Sequence, residues 1–384
     1  MTKEKPTTST IDANLLGAFI MIASALLALI LTNIGFGAEY HSLISAKIQL
    51  GYSSYALELT VKDWIKDMLM AFFFLNITLE LKSEFYEGFL TDKKQFILPL
   101  IATFGGMLFP AICYVLINYN YPDNLVGFAI PCATDIAFAM CVFALLGKNL
   151  SPAIKVFLLS IAIFDDLGAM LIIAIFYNHQ LQIIPALLGT LITGVMLLLC
   201  TRRTSNFTPY FILAPLLWLA CYLSGVHSTM SGVILGACIP MYSKDQSFSP
   251  LKKLNALLNP WVQFIILPIF AFVASGVSFV HLEPADILNP ISLGIIVGLF
   301  FGKQIGVFLC TWIAVKLRIA PLPARSNWFE VYFASCLAGI GFTMSLFMGS
   351  LAFDEGSSQD FVQLGVLTSS LLTVIYSTII IRMR

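Results

Sequence analysis

Apolar runs about as long as a bilayer is thick recur from one end of this chain to the other. A helix crossing hydrocarbon needs about 20 mostly apolar residues. Runs of that kind fall near 12–32, 62–80, 96–117, 124–146, 153–176 and 183–200. Six more follow near 207–223, 227–242, 256–275, 290–315, 327–349 and 360–381. The 384 residues are 59% hydrophobic and 11% charged, whereas a soluble domain carries about 25% charge. Packing in water is therefore excluded, and the fold class is an all-α integral membrane protein with 12 transmembrane helices. The whole chain, 1–384, reads as one membrane domain with no soluble domain attached. Residues 1–11 form a polar tail, and the run from Ala13 to Ile30 lacks a small-residue cleavage site, so a retained first span is expected. The stretch SGVHSTMSG breaks 207–242 into two pieces, one of which is expected to fall short of a full crossing.

Basic residues test the span count, because cytoplasmic loops collect Lys and Arg. With the N-terminus inside, all but four of the 21 basic residues fall on the inner side. Three of those four, Lys47, Lys62 and Lys66, lie around the first external segment, near 33–60. The fourth, Lys303, lies inside a span. An odd number of missed spans would scramble this separation, so both termini are expected in the cytoplasm. Around Gly51 the sequence IQLGYSSYALEL alternates partly with period two, which fits a surface hairpin as well as a disordered loop.

Two spans carry helix-breaking residues at mid-membrane. One reads Ala129-Ile130-Pro131-Cys132-Ala133-Thr134-Asp135, the other Gly339-Ile340-Gly341-Phe342-Thr343. Each is the middle member of a trio, 96–176 and 290–381, and corresponding members stand seven spans apart, an odd number, so the trios insert with opposite orientation. Matching breaks in inverted repeats point to a transporter's binding site. An unwound turn frees carbonyls and amides that hydrocarbon cannot satisfy, so they must face a cavity, an ion or each other. Pro and Gly also occur in membrane helices for packing alone, but two breaks in register beside polar side chains favour a site.

Four ionisable side chains interrupt the apolar text: Asp135, the adjacent pair Asp165 and Asp166, and Lys303. Each unpaired charge near the bilayer centre costs roughly 2.5–3.5 kcal/mol, so four would cost about 10–14 kcal/mol before pairing. A chain keeps such charges when they line an ion or proton path. Consecutive helical residues point about 100° apart, so Asp165 and Asp166 cannot face one ligand equally. One is expected to meet a cation and the other a neighbouring helix. Carboxylates, the Thr134 hydroxyl and freed carbonyls are the oxygen donors a hard monovalent cation needs, and Lys303 is the counter-charge for one acid. Asp135 beside a gap would offset the positive ends of the half-helices. All eight cysteines lie in or beside apolar runs without CxxC or metal-type spacing, and they read as small buried hydrophobes.

ATDIAF, IFDDLGA, GVHSTMSGVILG, GLFFGKQIG and GIGFTMS occur in this order and together resemble the NhaA family of Na⁺/H⁺ antiporters over essentially the whole chain. Broken helices in inverted repeats are themselves a feature of that family. The resemblance implies an NhaA-like fold with two interrupted, crossing helices and a multi-pass protein of the bacterial inner membrane. It implies an electrogenic antiporter, not an enzyme, that exports Na⁺ or Li⁺ against H⁺ for pH and sodium homeostasis. No cofactor is implied beyond the transported ions. By the same resemblance Asp166 is the principal Na⁺/Li⁺ ligand, Asp165 is the second essential acid paired with Lys303, and Asp135 and Thr134 sit where the broken helices cross. A homodimer built through the external hairpin is implied, with membrane lipid around it. Nucleic acid is not a partner, since net charge is zero and no basic block exists.

Candidate pH-response residues follow the family pattern in part. Glu80 and Glu84 match its acids at the funnel mouth, Lys252 matches its basic residue, and His227 matches its pH-linked histidine; a histidine at a span end also reads as a hydrogen-bonded interface residue. Ser83, Asn255 and Ala256 stand where the pattern has an arginine, an acid and a histidine, so a shifted or blunted pH response is expected. His41, His179 and His281 fall in external loops. Three rival readings are weaker. A solute symporter would need more Asn, Gln and Arg in the spans. An intramembrane aspartyl protease would place its acids on separate helices, and a passive channel would not keep a lysine in its path.

Overall fold

The computed structural model describes residues 8–50, 57–88, 93–177, 181–279, 283–353 and 356–383. The first seven residues of the polar tail, the hairpin tip 51–56, His179, His281 and Arg384 lie outside the described residues. All twelve expected segments carry helix. Among the described residues, seven helices are long and apolar enough to cross a membrane, and two bent pairs bring the candidate spans to nine. The three remaining segments are the helix over 61–87, the 17-residue Thr208–Ser224 and the nine-residue Met230–Cys238. Nine residues rise only about 14 Å, less than half the hydrocarbon thickness. The 207–242 region thus divides as its sequence suggests, at Gly225, whose φ of 81° takes the left-handed form that ends a helix.

The chain forms two compact units. One holds residues 1–35, 92–169 and 274–384, the other 36–91 and 170–273. The first unit therefore contains the first helix, the whole of the second trio and the first trio as far as Ala169. Its tightest crossing joins Lys93–Asn118 to Pro290–Lys316, where a Cβ on Gly105 would collide with the Gly306 carbonyl and one on Gly306 with that of Gly105. Small residues allow this because, in lipid, helices associate through close van der Waals packing rather than hydrophobic exclusion.

The interrupted spans are both bent. Pro122–Cys132 and Ile136–Leu146 meet at 47°, and Trp328–Leu337 and Phe342–Ala352 meet at 44°. The first arm is 3₁₀ throughout its 11 residues, ends at Pro131-Cys132, and gives way to extended backbone at Ala133 and Asp135. Runs of 3₁₀ this long are uncommon and often mark a functional hinge or strain. The second break uses close approach: a Cβ on Gly339 would stand 2.6 Å from the Leu299 carbonyl oxygen. One backbone bond ties the breaks together, from the Asp135 amide to the Ile340 carbonyl at 2.7 Å.

The second unit opens with the helix Gly37–Ile44 and an antiparallel hairpin, β1 (Lys47–Leu50) and β2 (Leu57–Thr60). Lys47 stands opposite Thr60, and its ammonium pairs with Glu58 at 3.0 Å. Of the two readings of the IQLGYSSYALEL segment, the structure takes the hairpin. Thr60 then caps the helix over 61–87 in a reciprocal box with Asp63. Leu75, Leu79, Met196, Tyr210, Leu217 and Leu235 form the core of this unit. Lys82 reaches the end of Met230–Cys238 and donates to the Ala237 and Ile239 carbonyls, each at 2.7 Å, at the negative end of that helix.

Candidate functional site

All five residues expected to bind the ion and couple protons lie in the first unit, and Thr134, Asp165 and Lys303 are in direct contact. Asp135 ends the first break as N-cap of Ile136–Leu146, its Oδ1 accepting from the Phe138 amide at 2.9 Å. Its Oδ2 accepts from the Thr343 amide at 3.0 Å and from the Thr343 hydroxyl, at the start of Phe342–Ala352. One carboxylate thus serves two helix N-termini whose dipoles point at each other, where an anion is most stabilising. Thr343 was not singled out as a site residue from sequence. The signal available was its place directly after the Gly-rich break.

The opposite polarity is met by lysine. Lys303, on Pro290–Lys316, is wholly buried and donates to the Cys132 carbonyl, where the Pro122–Cys132 arm ends. The same ammonium lies 2.8 Å from Asp165 Oδ2, with both side chains at 0% exposure. The Lys303 stem passes Gly106, where a Cβ would come within 3.7 Å of it.

Asp165 also meets Thr134, whose hydroxyl lies 2.6 Å from Asp165 Oδ2 and 2.7 Å from the Ala338 carbonyl oxygen. A threonine hydroxyl carries one proton, so it donates to one of these acceptors at a time. Asp165 Oδ1 is buried without a hydrogen-bond partner among the described residues. Asp166 follows on the same helix, Pro152–Phe176, and is also at 0% exposure. Side chain, hydroxyl and carbonyl oxygens thus converge beside Thr134, contributed by both interrupted spans and the Pro152–Phe176 helix. Ser345 anchors the second break further, donating to the Ile130 carbonyl at 2.8 Å.

The pH-response candidates, Glu80, Glu84, His227 and Lys252, belong to the second unit. His227 accepts from or donates to Thr229 through Nδ1 at 2.8 Å, while its Nε2 stands 3.9 Å from Asp67. Nothing in the sequence reading flagged Asp67. Lys252 pairs with Glu87, which also accepts from the Tyr242 hydroxyl at 2.7 Å. Glu87 and Tyr242 were likewise not foreseen, since their partnership depends on where Pro250–Trp261 docks. Ser83 and Asn255 are half-buried and Ala256 is exposed.

Comparison with known proteins covers the same ground. A family model described as Na⁺/H⁺ antiporter 1 matches residues 8–381. A protein from Pelagibacter ubique named Na(+)/H(+) antiporter NhaA is 43% identical over 365 residues, 94% of this chain and 93% of that one. The protein of the same name from Aeromonas hydrophila is 43% identical over 94% of this chain and 92% of its own. That from Vibrio parahaemolyticus is 43% identical over 92% and 91%. With matched breaks, a buried aspartate–lysine pair and homology running nearly end to end, the chain belongs to the Na⁺/H⁺ antiporter 1 family.

Proposed function

We propose that this chain is an electrogenic secondary antiporter that exports Na⁺, or Li⁺, in exchange for H⁺, and so supports intracellular pH and sodium balance. The observation that carries this reading is the buried Lys303–Asp165 pair, whose shared acid also accepts from Thr134 and keeps one carboxylate oxygen unused. A small hard cation prefers oxygen ligands. Asp165, Asp166, the Thr134 hydroxyl and the Ala338 carbonyl are the oxygens available for it, with Asp166 as principal ligand. A cation entering here competes with Lys303 and with protons for the same carboxylates, so the site holds metal or hydrogen ions in turn.

In the inward-facing state the acids bind the cation and release protons; facing outward, protons displace it. If two protons return for each cation, one positive charge moves inward per cycle. That charge gains about 2.3 kcal/mol per 100 mV of membrane potential, which supports export against a sodium gradient. The proposed assembly has twelve crossings, two inverted trios and both termini in the cytoplasm of a bacterial inner membrane. It pairs as a homodimer through the β1–β2 hairpin, with lipid on the remaining faces. Supporting this orientation is the gathering of all but four of 21 basic residues on one side of the expected spans.

Everted vesicles test the reading. Adding Na⁺ or Li⁺ to energised vesicles holding the protein is expected to collapse the proton gradient, and Asp166→Asn is expected to abolish that response. Exchange retained by the variant at ordinary Na⁺ affinity would remove Asp166 from its role. A solute-driven response without Na⁺ dependence would favour the symporter instead.

A further inference from the structure

The last helix, Ser357–Arg382, carries polar side chains that the ion site does not use. Ser369, Ser370, Thr373 and Ser377 are each at 0–3% exposure. Their spacing places them on one face, since residues three and four apart are neighbours on a helix. None of the four hydroxyls has a hydrogen-bond partner among the described residues. The usual outlet for such a hydroxyl is the carbonyl one turn back. Thr378 on this same helix takes it, donating to Val374 at 2.8 Å. Thr311 and Ser335 on other helices do likewise, at 2.6 and 2.8 Å. The four are therefore turned away from their own backbone.

A second polar group meets this face. Tyr376, at helical spacing from Ser369 and Thr373, has its hydroxyl 2.9 Å from that of Tyr332. Tyr332 donates on to Gln304 Oε1 at 3.4 Å, and the Cys336 thiol lies 3.5 Å from the same oxygen. The amide nitrogen of Gln304, a residue at 5% exposure, has no partner among the described residues. Hydrocarbon offers no hydrogen bonds, so polar groups at membrane depth persist only when paired or facing a water-filled space. Bound water makes two to four hydrogen bonds to such groups and settles where a site is polar and roomy. Three serines and a threonine are small enough to leave that room.

We propose that Ser369, Ser370, Thr373 and Ser377, with Gln304 and the Tyr332–Tyr376 pair, form a binding site for a short file of water molecules inside the first unit. Each water bridges hydroxyls that the helix itself leaves unbonded. Gln304 directly follows Lys303 in the chain and points about 100° away from it, so this water lies on a side of the helix that the Lys303–Asp165 pair does not use. The inference stands independently of what the aspartates bind.

Hydroxyl-radical footprinting of the full chain in lipid nanodiscs tests it, because water held in the protein generates radicals where it sits. Cys336 at 0% exposure and Cys238 at 1% are equally buried thiols, one at the proposed site and one in the core of the second unit. Oxidation of Cys336 is expected to run severalfold faster than that of Cys238. In Ser370→Ala/Thr373→Val/Ser377→Ala it is expected to fall to the Cys238 rate, while Na⁺-dependent exchange reports that the variant is folded. Thr373→Val alone is expected to lower the rate part of the way, which decides the matter should the triple variant fail to fold. Equal oxidation of the two thiols in the unaltered protein, or a Cys336 rate untouched by Thr373→Val, would overturn the proposal.

Discussion

Asp135 and Lys303 neutralise opposite ends of broken helices, and their substitutions should differ accordingly. Replacing Asp135 by alanine removes the acceptor from two helix N-termini at once. Each lost cap costs about 0.5–2 kcal/mol, so a loss of roughly 1–4 kcal/mol in unfolding free energy is expected. Asp135→Asn keeps one acceptor oxygen and should lose less, and thermal denaturation of the purified variants distinguishes the two. Lys303→Ala leaves the Asp165 carboxylate buried without its counter-charge and the Cys132 carbonyl without a donor. Breaking a buried pair from one side typically costs about 3–5 kcal/mol, so this variant should be the least stable of the three. The four charges were legible in the sequence because the runs immediately around them are otherwise uncharged. The second acceptor arm of Asp135, onto Thr343, was not, because it joins positions 208 residues apart.

At the level of helices, what could be read was where each element stops. Pro131, Gly339 and Gly341 announce the two breaks, and SGVHSTMSG announces the short Met230–Cys238 helix. The π-helical turns at Ile65–Leu69, Val262–Ile266 and Val297–Gly302 were not read from the sequence, although Pro260 and Pro268 bracket the second of them. Close crossings were equally silent. Gly306→Ala would press a methyl into the Gly105 carbonyl, so it should destabilise the first unit despite the better helix propensity of alanine. A rise in melting temperature would contradict that packing. The contact between the end of the 61–87 helix and Pro250–Trp261 depends on charge. Hydrogen bonds from Lys252 and Tyr242 hold the Glu87 carboxyl below its ordinary 4.5. A depressed carboxyl contributes stability above its unfolded value and loses it as pH falls through the folded one. Glu87 therefore stays ionised throughout pH 6–9, and Glu87→Gln should leave the shape of the exchange profile over that range unchanged. Its stability cost should be about 0.2–1 kcal/mol, as for other exposed pairs. A profile midpoint that moves with Glu87→Gln would show that this contact titrates during pH response.

For the molecule as a whole, hydropathy foretold helices everywhere but not how they group. The first helix, the second trio and the first trio up to Ala169 fall in one unit, while the hairpin and the remaining helices form the other, and no composition shift marks the joins at 35/36, 91/92, 169/170 and 273/274. Such joins follow from long-range packing, which a reading confined to local apolar runs does not reach. Orientation is different, because it is written in the loops. Lys148 and Lys155 flank one connection, and Lys316, Arg318 and Arg325 another; the connection near Asn289 has no basic residue between Pro260 and Gly302. Juxtamembrane Lys and Arg resist translocation, whereas acidic residues matter little. A phosphatase fused after Asn289, where it folds only outside the cytoplasm, should be active. The same enzyme fused after Lys148 or Arg325 should be inactive, and a fluorescent protein fused at those two positions should glow. Phosphatase activity after Lys148 together with none after Asn289 would invert the topology.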